Sequence, residues 1–358
     1  MRVLVTGAAG FLGGYLVPEL LDAGHQVVGV DNLATYGRPR RSFDGHPAYR
    51  FVTGDATDAG LLRALAADCD QVVAAAGLVG GSSSLQELAF DLLALNERIM
   101  AATFEAAIDA FLDGHLERIV ILSSSLVYES ATVFPTPEDA TRTNPPPHST
   151  FGFQKLSSEY FAQGAFEQYR LPSTILRLSN VVGMGERKLP EPGIRGGELR
   201  LALNNAVPDL ARRIIRGEDP VHVVGRGDQV RPYTHAADAA RGIRLAMESD
   251  RARNEVFNIS SAEGTTVLAL AERIWHRVHG EEAFRYTTDD APAYDVPIRI
   301  PDTRKAEAVL GWKATTTIDH MLDELLPWIS EESALAVVGR EGARWPPSPP
   351  ERVSATAS

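Results

Sequence analysis

The chain has 358 residues, of which 44% are hydrophobic and 23% are charged, and its formal net charge at pH 7 is −12. This composition is typical of a folded protein with one large or two smaller domains, and an acidic surface argues against binding to nucleic acid or to anionic membranes. Cys69 is the single cysteine, which excludes an intramolecular disulfide and a cysteine metal cluster.

The first predicted element is a buried parallel strand at Arg2–Thr6, which runs directly into Gly7, Gly10 and Gly13. Glycines at this spacing allow a tight turn, a close approach of the backbone to a pyrophosphate and close packing of the next helix on the sheet. We expect that helix to begin near Phe11 and to direct its N-terminal amides at the phosphate. The pattern predicts a dinucleotide-binding βαβ unit.

A second buried strand, Gln26–Asp31, ends in a carboxylate. Asp31 lies close to the roughly 20-residue spacing at which an acidic residue binds the adenosine ribose. Because a carboxylate repels a 2′-phosphate, the sequence favours NAD over NADP. A basic cluster follows this strand, and we interpret it as part of a solvated loop rather than as a site for a 2′-phosphate. Its members are Arg38, Arg40 and Arg41.

The next elements alternate between strand and helix. Strands are predicted at Tyr49–Thr53, Gln71–Ala76, Arg118–Leu122 and Pro172–Leu178, and helices from Ala59 after the cap Asp58, at about Ser84–Ala110, and from the cap Ser149 to about Tyr169. This alternation predicts an α/β fold, a Rossmann doubly wound parallel sheet with strand order 3-2-1-4-5-6. We assign residues 1–180 to this NAD-binding domain.

Beyond residue 180 the regular alternation of strand and helix ends. Helices are predicted at Pro208–Arg216, Ala236–Glu248, Val267–His279 and Ile318–Ile329, and a strand at Val221–Val224. Residues 181–330 are therefore predicted to form a smaller mixed α/β substrate-binding lobe. The segment 331–358, rich in proline, is predicted to be an extended C-terminal tail. No metal site is predicted, because the nine histidines are scattered. No stretch approaches the roughly 20 apolar residues of a membrane span and the chain starts on a strand, so we expect a cytoplasmic protein.

Several motifs together resemble the extended short-chain dehydrogenase/reductase superfamily, in particular its nucleotide-sugar epimerases and dehydratases. The resemblance covers about residues 1–330. It is carried by Thr6–Gly13, Gly54-Asp55, Asn96, Ser123–Tyr128, Phe151–Lys155, Arg177–Asn180, Gly225–Arg231 and Arg299–Asp302.

This resemblance implies NAD as cofactor, a nucleoside-diphosphate sugar as substrate and a homodimer formed through the helices near 84–110 and 150–169. The implied cofactor-binding residues are Gly7, Gly10, Phe11, Leu12, Gly13, Asp31, Asn32, Asp55, Ala56, Ala75, Ala76, Gly77, Asn96, Lys155 and Leu178. The implied substrate-binding residues are Ser125, Asn180, Asn204, Val207, Arg231 and Arg299. Two guanidinium groups are the expected partners of a diphosphate.

The implied catalytic set is a serine, a tyrosine and a lysine four residues after the tyrosine. Ser124 fits the serine and Lys155 fits the lysine, but the tyrosine position holds Phe151. In the family, the tyrosine takes a proton from a sugar hydroxyl and the lysine lowers the tyrosine pKa. Phenylalanine has the shape of tyrosine without an ionisable oxygen.

Three explanations of Phe151 are open. In the first, the chain is an engineered Tyr-to-Phe variant that holds its substrate unreacted; the intact motif residues around position 151 favour this explanation. Alternatively, it is a natural enzyme with another acid or base, for which Tyr128 or a water held by Ser124 and Ser125 are candidates. Finally, it is a binding or sensing protein that has lost the chemistry.

The residues after the fifth strand bear on the reaction. Family dehydratases resemble Thr-Asp-Glu in the three places of Ser124, Ser125 and Leu126, and decarboxylases of uronic acids tend to carry glutamate in the place of Leu126. Both acids are missing here. Ser-Ser-Leu is more similar to the 4-epimerases, which need only oxidation at C4, rotation of the ketone and return of hydride to the other face. The resemblance therefore favours C4 epimerisation of a nucleoside-diphosphate hexose or uronic acid, with uridine as the expected base. Decarboxylation is the second alternative, and simple dehydrogenation or reduction is the third.

Overall fold

The computed structural model describes residues 1–79, 88–185, 193–195, 198–200, 206–290 and 296–337. Its centre is a parallel sheet of seven strands. These are β1 (Arg2–Thr6), β2 (Gln26–Asp31), β3 (Tyr49–Thr53), β4 (Gln71–Ala74), β5 (Arg118–Ser124), β6 (Ser173–Leu178) and β13 (Glu255–Ile259). Their order is β13-β6-β5-β4-β1-β2-β3, and every neighbouring pair is parallel. The predicted order of the first six strands is confirmed.

Nine α-helices lie within the described residues. They are α1 (Gly13–Asp22), α2 (Ala59–Ala66), α3 (Ala89–Leu112), α4 (Thr150–Tyr169), α5 (Ala206–Ile215), α6 (Ala236–Glu248), α7 (Val267–His279), α8 (Arg304–Leu310) and α9 (Ile318–Val337). Helices α1 and α6 cover one face of the sheet, where Leu16 and Ile243 share an apolar core with Val5. Helices α2, α3 and α4 cover the other face. The α/β, Rossmann-like fold is thereby confirmed.

Two elements of the sheet layer come from the stretch 181–330. Strand β13 pairs with β6 and adds a seventh strand to the sheet. Helix α6 packs on α1 through buried residues such as Ile243 and Met247. The stretch predicted to form the smaller lobe therefore also contributes a strand and a helix to the central sheet layer.

The remainder of that stretch has its own apolar core. Helices α5, α7 and α9 enclose it, with Val207, Ile274 and Leu322 among the fully buried side chains. The same stretch contains four pairs of short strands, namely β7 (Val181–Val182) with β12 (Thr234–His235), β8 (Gly193–Arg195) with β9 (Glu198–Arg200), β10 (Val221–Val223) with β15 (Tyr286–Thr288) and β11 (Val230–Pro232) with β14 (Gly264–Thr266).

Several predicted boundaries change. Helix α1 begins at Gly13 rather than near Phe11, because the glycine turn extends further. Helix α9 continues to Val337, so the first residues of the predicted extended tail are helical. Glutamate, alanine and leucine in residues 331–337 favour helix, and no glycine or proline occurs between Ile329 and Gly339, although Pro327 lies inside the helix. Residues 84–87 of the predicted third helix and residues 338–358 of the tail lie outside the described residues. No helix in the described ranges is long and apolar enough to cross a membrane.

Candidate active site

The turn after β1 requires glycine at two positions. Gly7 has a φ of +74°, and a Cβ added there would lie 2.9 Å from the carbonyl oxygen of Ala75. A Cβ added at Gly13 would lie 2.5 Å from the carbonyl oxygen of Ala8. Both distances are shorter than a real Cβ contact. The turn is therefore held tightly between the sheet and helix α1, as the glycine spacing predicts.

Helix α1 begins directly after this turn. Its N-cap residue, Leu12, supplies no side-chain hydrogen bond to the first turn. The amides of such a turn are donors for an anion, and the helix dipole favours negative charge there. Phe11, Leu12 and Gly13 thus fit the phosphate-binding role predicted for them.

The loop after β4 is held against the glycine turn by two polar side chains. The hydroxyl of Thr6 accepts hydrogen bonds from the amides of Ala75 at 3.1 Å and Ala76 at 3.0 Å. The amide oxygen of Asn96 accepts from Leu78 N at 2.7 Å, and its nitrogen donates to Leu78 O at 2.9 Å. Asn96, predicted to bind cofactor, therefore uses both side-chain polar atoms to position the loop that contains Ala75, Ala76 and Gly77. Thr6 is a site residue that the sequence analysis missed, although it opens the glycine motif.

Asp31 lies at the end of β2, next to the glycine turn. Its carboxylate accepts hydrogen bonds from Ala9 N at 3.1 Å and from Leu33 N at 2.7 Å. Burial raises the pKa of Asp31, while these two bonds and the nearby Arg41 lower it. Across the edge of the sheet, the Asn32 side chain donates to the Asp55 carboxylate at 3.1 Å. Asp31, Asn32, Asp55 and the buried Ala56 thus gather at the end where a dinucleotide's adenosine is expected.

Arg41 does not belong to a solvated loop, which corrects the interpretation of the basic cluster. It is buried, and its guanidinium donates to Ala9 O at 3.0 Å and to Gly10 O at 3.1 Å. Phe43, two residues later, is buried in the apolar core and draws this segment onto the sheet. Arg38 and Arg40 are exposed, as predicted.

The predicted catalytic serine stands where β5 ends. The Ser124 hydroxyl accepts a hydrogen bond from Leu126 N at 3.2 Å and caps the short 3-10 helix Ser125–Tyr128. The Ser125 hydroxyl is buried and donates to Ser179 at 3.0 Å. Ser124 is only partly buried, so it is the hydroxyl of this turn that a ligand can reach.

Helix α4 is anchored against the same turn. The Ser149 hydroxyl accepts from Gly152 N at 2.9 Å and caps the helix, and Ser149 N in turn donates to the Glu129 carboxylate at 2.8 Å. A Cβ added at Gly152 would lie 2.9 Å from the carbonyl oxygen of Leu126. This close packing brings Phe151, in the first turn of α4, next to the end of β5.

Lys155 completes the set one helical turn after Phe151. Its ammonium lies 5.6 Å from the centroid of the Phe151 ring and donates to Leu122 O at 3.1 Å. Burial lowers the pKa of Lys155 to about 8, and the negative charge of Glu97 opposes this shift. The structure therefore brings Ser124, Phe151 and Lys155 together at the carboxyl end of β5, as predicted.

Tyr128 does not suit the role of replacement acid or base. Its side chain is 2% exposed, and its hydroxyl donates to the Asn258 side chain at 2.9 Å and accepts from Arg177. Burial raises the pKa of Tyr128 to about 12. Arg177 also forms a buried ion pair with Glu159 at 2.7 Å. Tyr128 is thus part of a buried hydrogen-bond network. This corrects the hypothesis that it replaces the missing tyrosine as acid or base.

Three of the predicted substrate-binding residues meet where the smaller lobe joins the sheet. The Arg299 guanidinium donates to the Asn180 side chain at 2.9 Å, and Asn180 donates to Pro232 O at 2.9 Å. Arg231 precedes Pro232 and donates to Val230 O at 2.9 Å. Two guanidinium groups and one amide therefore share a single region, which suits a diphosphate.

Tyr233 lies beside these arginines and was missed by the sequence analysis. It is 5% exposed, and within the described part of the chain its hydroxyl has no hydrogen-bond partner. Burial raises the pKa of Tyr233 to about 12, and the charges of Arg231 and Arg299 oppose this shift. A buried unpaired hydroxyl is costly unless a ligand or water satisfies it. The sequence signal that could have identified Tyr233 as a site residue is its position two residues after Arg231.

The remaining predicted site residues are placed differently. Leu178 ends β6 and is partly buried. Val207 is fully buried in the core of the smaller lobe, so its side chain does not line an open site, and only its backbone can border a ligand. Asn204 lies outside the described residues. Among the residues that the structure describes, no group of three or more His, Cys, Asp or Glu side chains could hold a metal ion.

Comparison with known proteins relates this arrangement to one family. The model of the NAD dependent epimerase/dehydratase family matches residues 3–260. A UDP-glucose 4-epimerase of Corynebacterium glutamicum is 28% identical over 323 residues, which cover 87% of this chain and 90% of that enzyme. A dTDP-glucose 4,6-dehydratase of an Actinoplanes species is 28% identical over 338 residues, with 92% and 97% covered. The crystal structure of a UDP-glucose 4-epimerase with UDP-glucose from Thermotoga maritima is 28% identical and superimposes with a TM-score of 0.75, covering 93% of this chain and all of that one.

Proposed function

The chain belongs to the NAD dependent epimerase/dehydratase family, and on that premise we propose that its reaction is C4 epimerisation of a nucleoside-diphosphate sugar. NAD is the cofactor. The substrate class we propose is a UDP-hexose or a UDP-uronic acid, because the Corynebacterium glutamicum relative, one of the two that are 28% identical, is a UDP-glucose 4-epimerase.

One observation carries the choice of reaction. The turn that faces Lys155 at the end of β5 presents Ser124, Ser125 and Leu126, and it contains no carboxylate. Glu129, the next acid along the chain, is engaged by both the amide and the hydroxyl of Ser149. Elimination of a sugar hydroxyl needs a general acid near the leaving group, whereas epimerisation at C4 does not. The hydroxyl-lined turn therefore supports epimerisation over dehydration.

The chain's own residues have distinct roles in this proposal. When bound, NAD supplies hydride exchange at the sugar carbon. The glycine turn and the uncapped start of α1 hold the pyrophosphate of the cofactor, and Asp31 holds its adenosine ribose. Asn180, Arg231 and Arg299 hold the diphosphate of the substrate, and the Ser124 hydroxyl orients the hydroxyl at C4.

Proton transfer at C4 is the step that Phe151 affects. Lys155 is the ionisable group next to Phe151, and its pKa of about 8 leaves about a tenth of the amine unprotonated at pH 7. We propose that Lys155, directly or through a water held by Ser124, serves as a weak acid and base in the chain as it stands. A tyrosine at position 151 would supply the stronger group.

The test compares the unmodified chain with Phe151→Tyr. Both are incubated with NAD and either UDP-glucose or UDP-glucuronic acid, and the C4 epimer is separated by anion-exchange chromatography. We expect the tyrosine form to be faster by at least about a hundredfold, the usual contribution of a positioned acid or base. Phe166→Tyr, at an exposed position near the other end of the same helix, is the matched control. Equal rates for both forms would contradict the proposed role of position 151.

A second candidate is a binding or sensing protein, and Phe151 is the observation that favours it. Such a protein keeps the nucleotide and sugar contacts but has no turnover in either form. Binding of a UDP-sugar in the presence of NAD, with no epimer from the unmodified chain or from Phe151→Tyr, would support this candidate over the enzyme.

We further propose that the chain forms a homodimer through helices α3 and α4. Phe90 on α3 is 78% exposed, and Phe153 and Tyr160 on α4 are 49% and 64% exposed. Phe153 and Tyr160 are seven residues apart and lie on one face of the helix. A second copy would remove this aromatic face from water. Light scattering should give the mass of two chains for the unmodified protein and of one chain for Tyr160→Asp; a single-chain mass for the unmodified protein would contradict the proposal.

A further inference from the structure

The segment after β2 carries an arginine that no sequence motif assigned to the cofactor site. Arg41 is 8% exposed, which is unusual for this residue type unless its charge is paired or hydrogen-bonded. One terminal nitrogen of its guanidinium donates to two successive carbonyls of the glycine turn, Ala9 O at 3.0 Å and Gly10 O at 3.1 Å. Arg41 is therefore bonded to the backbone of the turn that the cofactor is expected to contact.

The position of Arg41 is fixed by its own segment. Arg41 N donates to the Asp44 carboxylate at 2.9 Å, and Asp44 N donates back to Arg41 O at 3.2 Å. Phe43, between them, packs into the core with its ring 5.2 Å from that of Tyr49. The guanidinium is thus presented to the glycine turn by a tight, anchored turn.

Asp31 and Arg41 both form a hydrogen bond with the backbone of Ala9. The Asp31 carboxylate accepts from Ala9 N at 3.1 Å, while Arg41 donates to Ala9 O. Both backbone polar groups of Ala9 are therefore engaged, one by the acid that ends β2 and the other by a base from the segment that follows it. The side chains of Asp31 and Arg41 thus fix the position of Ala9 in the glycine turn.

The direction of the two carbonyls determines where the amides of the turn face. A trans peptide is planar, and its C=O and N–H groups point in opposite directions. The Gly10 carbonyl accepts from Arg41 at 3.1 Å and also from Gly14 N at 3.1 Å, so the amide of Phe11 faces away from these two donors. That amide belongs to the group at the start of α1 that fits a pyrophosphate.

We propose that Arg41 is a cofactor-positioning residue. It fixes the backbone of the pyrophosphate-binding turn from the side opposite the cofactor and does not touch the nucleotide. The inference rests only on the NAD part of the proposed function and not on the reaction. It assigns to Arg41 a role in binding ligands that contain a pyrophosphate, and no role in holding the adenosine, which is left to Asp31.

The test uses the full chain and the variants Arg41→Met and Arg41→Lys, with the exposed Arg40→Met as the matched control. Dissociation constants for NAD and ADP-ribose are measured by calorimetry and that for adenosine by ligand-observed NMR, alongside urea unfolding. We expect Arg41→Met to weaken NAD and ADP-ribose by at least about tenfold, the effect of losing one or two hydrogen bonds to a charged group, and to change adenosine by less than about twofold. Arg41→Lys should recover part of the loss, and Arg40→Met should behave as the unmodified chain.

The outcomes separate this inference from the proposed function. An equal loss of adenosine and NAD binding would mean a general disturbance of the site and would overturn it, as would unchanged NAD binding in Arg41→Met. If Arg41→Met does not fold, Arg41→Lys decides the matter: NAD affinity equal to that of the unmodified chain overturns the inference, and an intermediate loss confined to the pyrophosphate ligands supports it. Failure of the unmodified chain to bind NAD would overturn both the inference and the cofactor assignment, whereas failure of epimerisation alone would leave the inference standing.

Discussion

Replacing Lys155 by methionine should stabilise the nucleotide-free protein at neutral pH and should lose this benefit in alkali. The ammonium of Lys155 is kept near the Phe151 ring and Leu122 O, where burial lowers its pKa from 10.5 to about 8. A lysine with a lowered pKa binds its proton less tightly in the folded chain than in the unfolded chain. The charge at this position therefore opposes folding.

The magnitude and sign follow from the two pKa values of Lys155. Between about pH 8 and 10.5 the unfolded chain holds more protons, so the stability contributed by this group rises with pH. Below about pH 8 the full cost applies, and at about 1.4 kcal/mol per pH unit it amounts to about 3 kcal/mol. Loss of the hydrogen bond to Leu122 O offsets the gain in Lys155→Met by about 1 kcal/mol at every pH.

Urea unfolding of the unmodified chain and Lys155→Met at pH 7, 8, 9 and 10 measures this effect. The stability advantage of the methionine form should shrink by about 2 to 3 kcal/mol from pH 7 to pH 10, while other titrating groups are common to both proteins and cancel. The exposed Lys313→Met is the matched control, because water hydrates that ammonium in both states. A difference between Lys155→Met and the unmodified chain that stays constant from pH 7 to pH 10 would refute the reasoning.

Three further substitutions test other parts of the site. Gly7→Ala should weaken NAD binding by more than about tenfold in calorimetry, since φ is +74° and the new Cβ would lie 2.9 Å from Ala75 O; affinity within twofold of the original would count against the tight turn. Tyr128→Phe leaves the Asn258 side chain without its hydroxyl donor and should lower the free energy of unfolding by about 1 to 3 kcal/mol without changing turnover of the active form. Loss of turnover with unchanged stability would instead make that hydroxyl catalytic. Arg299→Met should raise the KM for the UDP-sugar by at least about tenfold and leave NAD affinity unchanged; a matching loss of NAD affinity would place Arg299 elsewhere.

Much of the fold was predictable because its signals are local. The run from Arg2 through Gly7 to Asp31 contains strand, turn, helix and strand in a fixed spacing, and the structure reproduces it. Caps gave the starts of two helices, since Asp58 accepts from Leu61 N and Ser149 accepts from Gly152 N. Handedness and short connections then leave few orders for parallel strands.

The features that the sequence did not reveal depend on contacts between distant residues. Nothing local to Arg41 distinguishes it from its exposed neighbours, and only the burial of Phe43 carries it to the glycine turn. Tyr128 follows a serine-rich turn like a site residue, but its partners lie far along the chain, at Arg177 and Asn258. Likewise, the hydrophobic side chain of Val207 fits either a ligand site or a core, and only the packing of three helices decides for the core.

Proton NMR of the product formed by Phe151→Tyr with NAD in deuterated water distinguishes epimerisation from the other reactions of the family. UDP-glucose and UDP-glucuronic acid are the substrates, and Phe166→Tyr is the control. We expect a sugar nucleotide inverted only at C4, with all its carbons retained and no deuterium on the ring, because the hydroxyl-lined turn after β5 offers no acid for elimination. A 6-deoxy-4-keto sugar or a pentose product would contradict it.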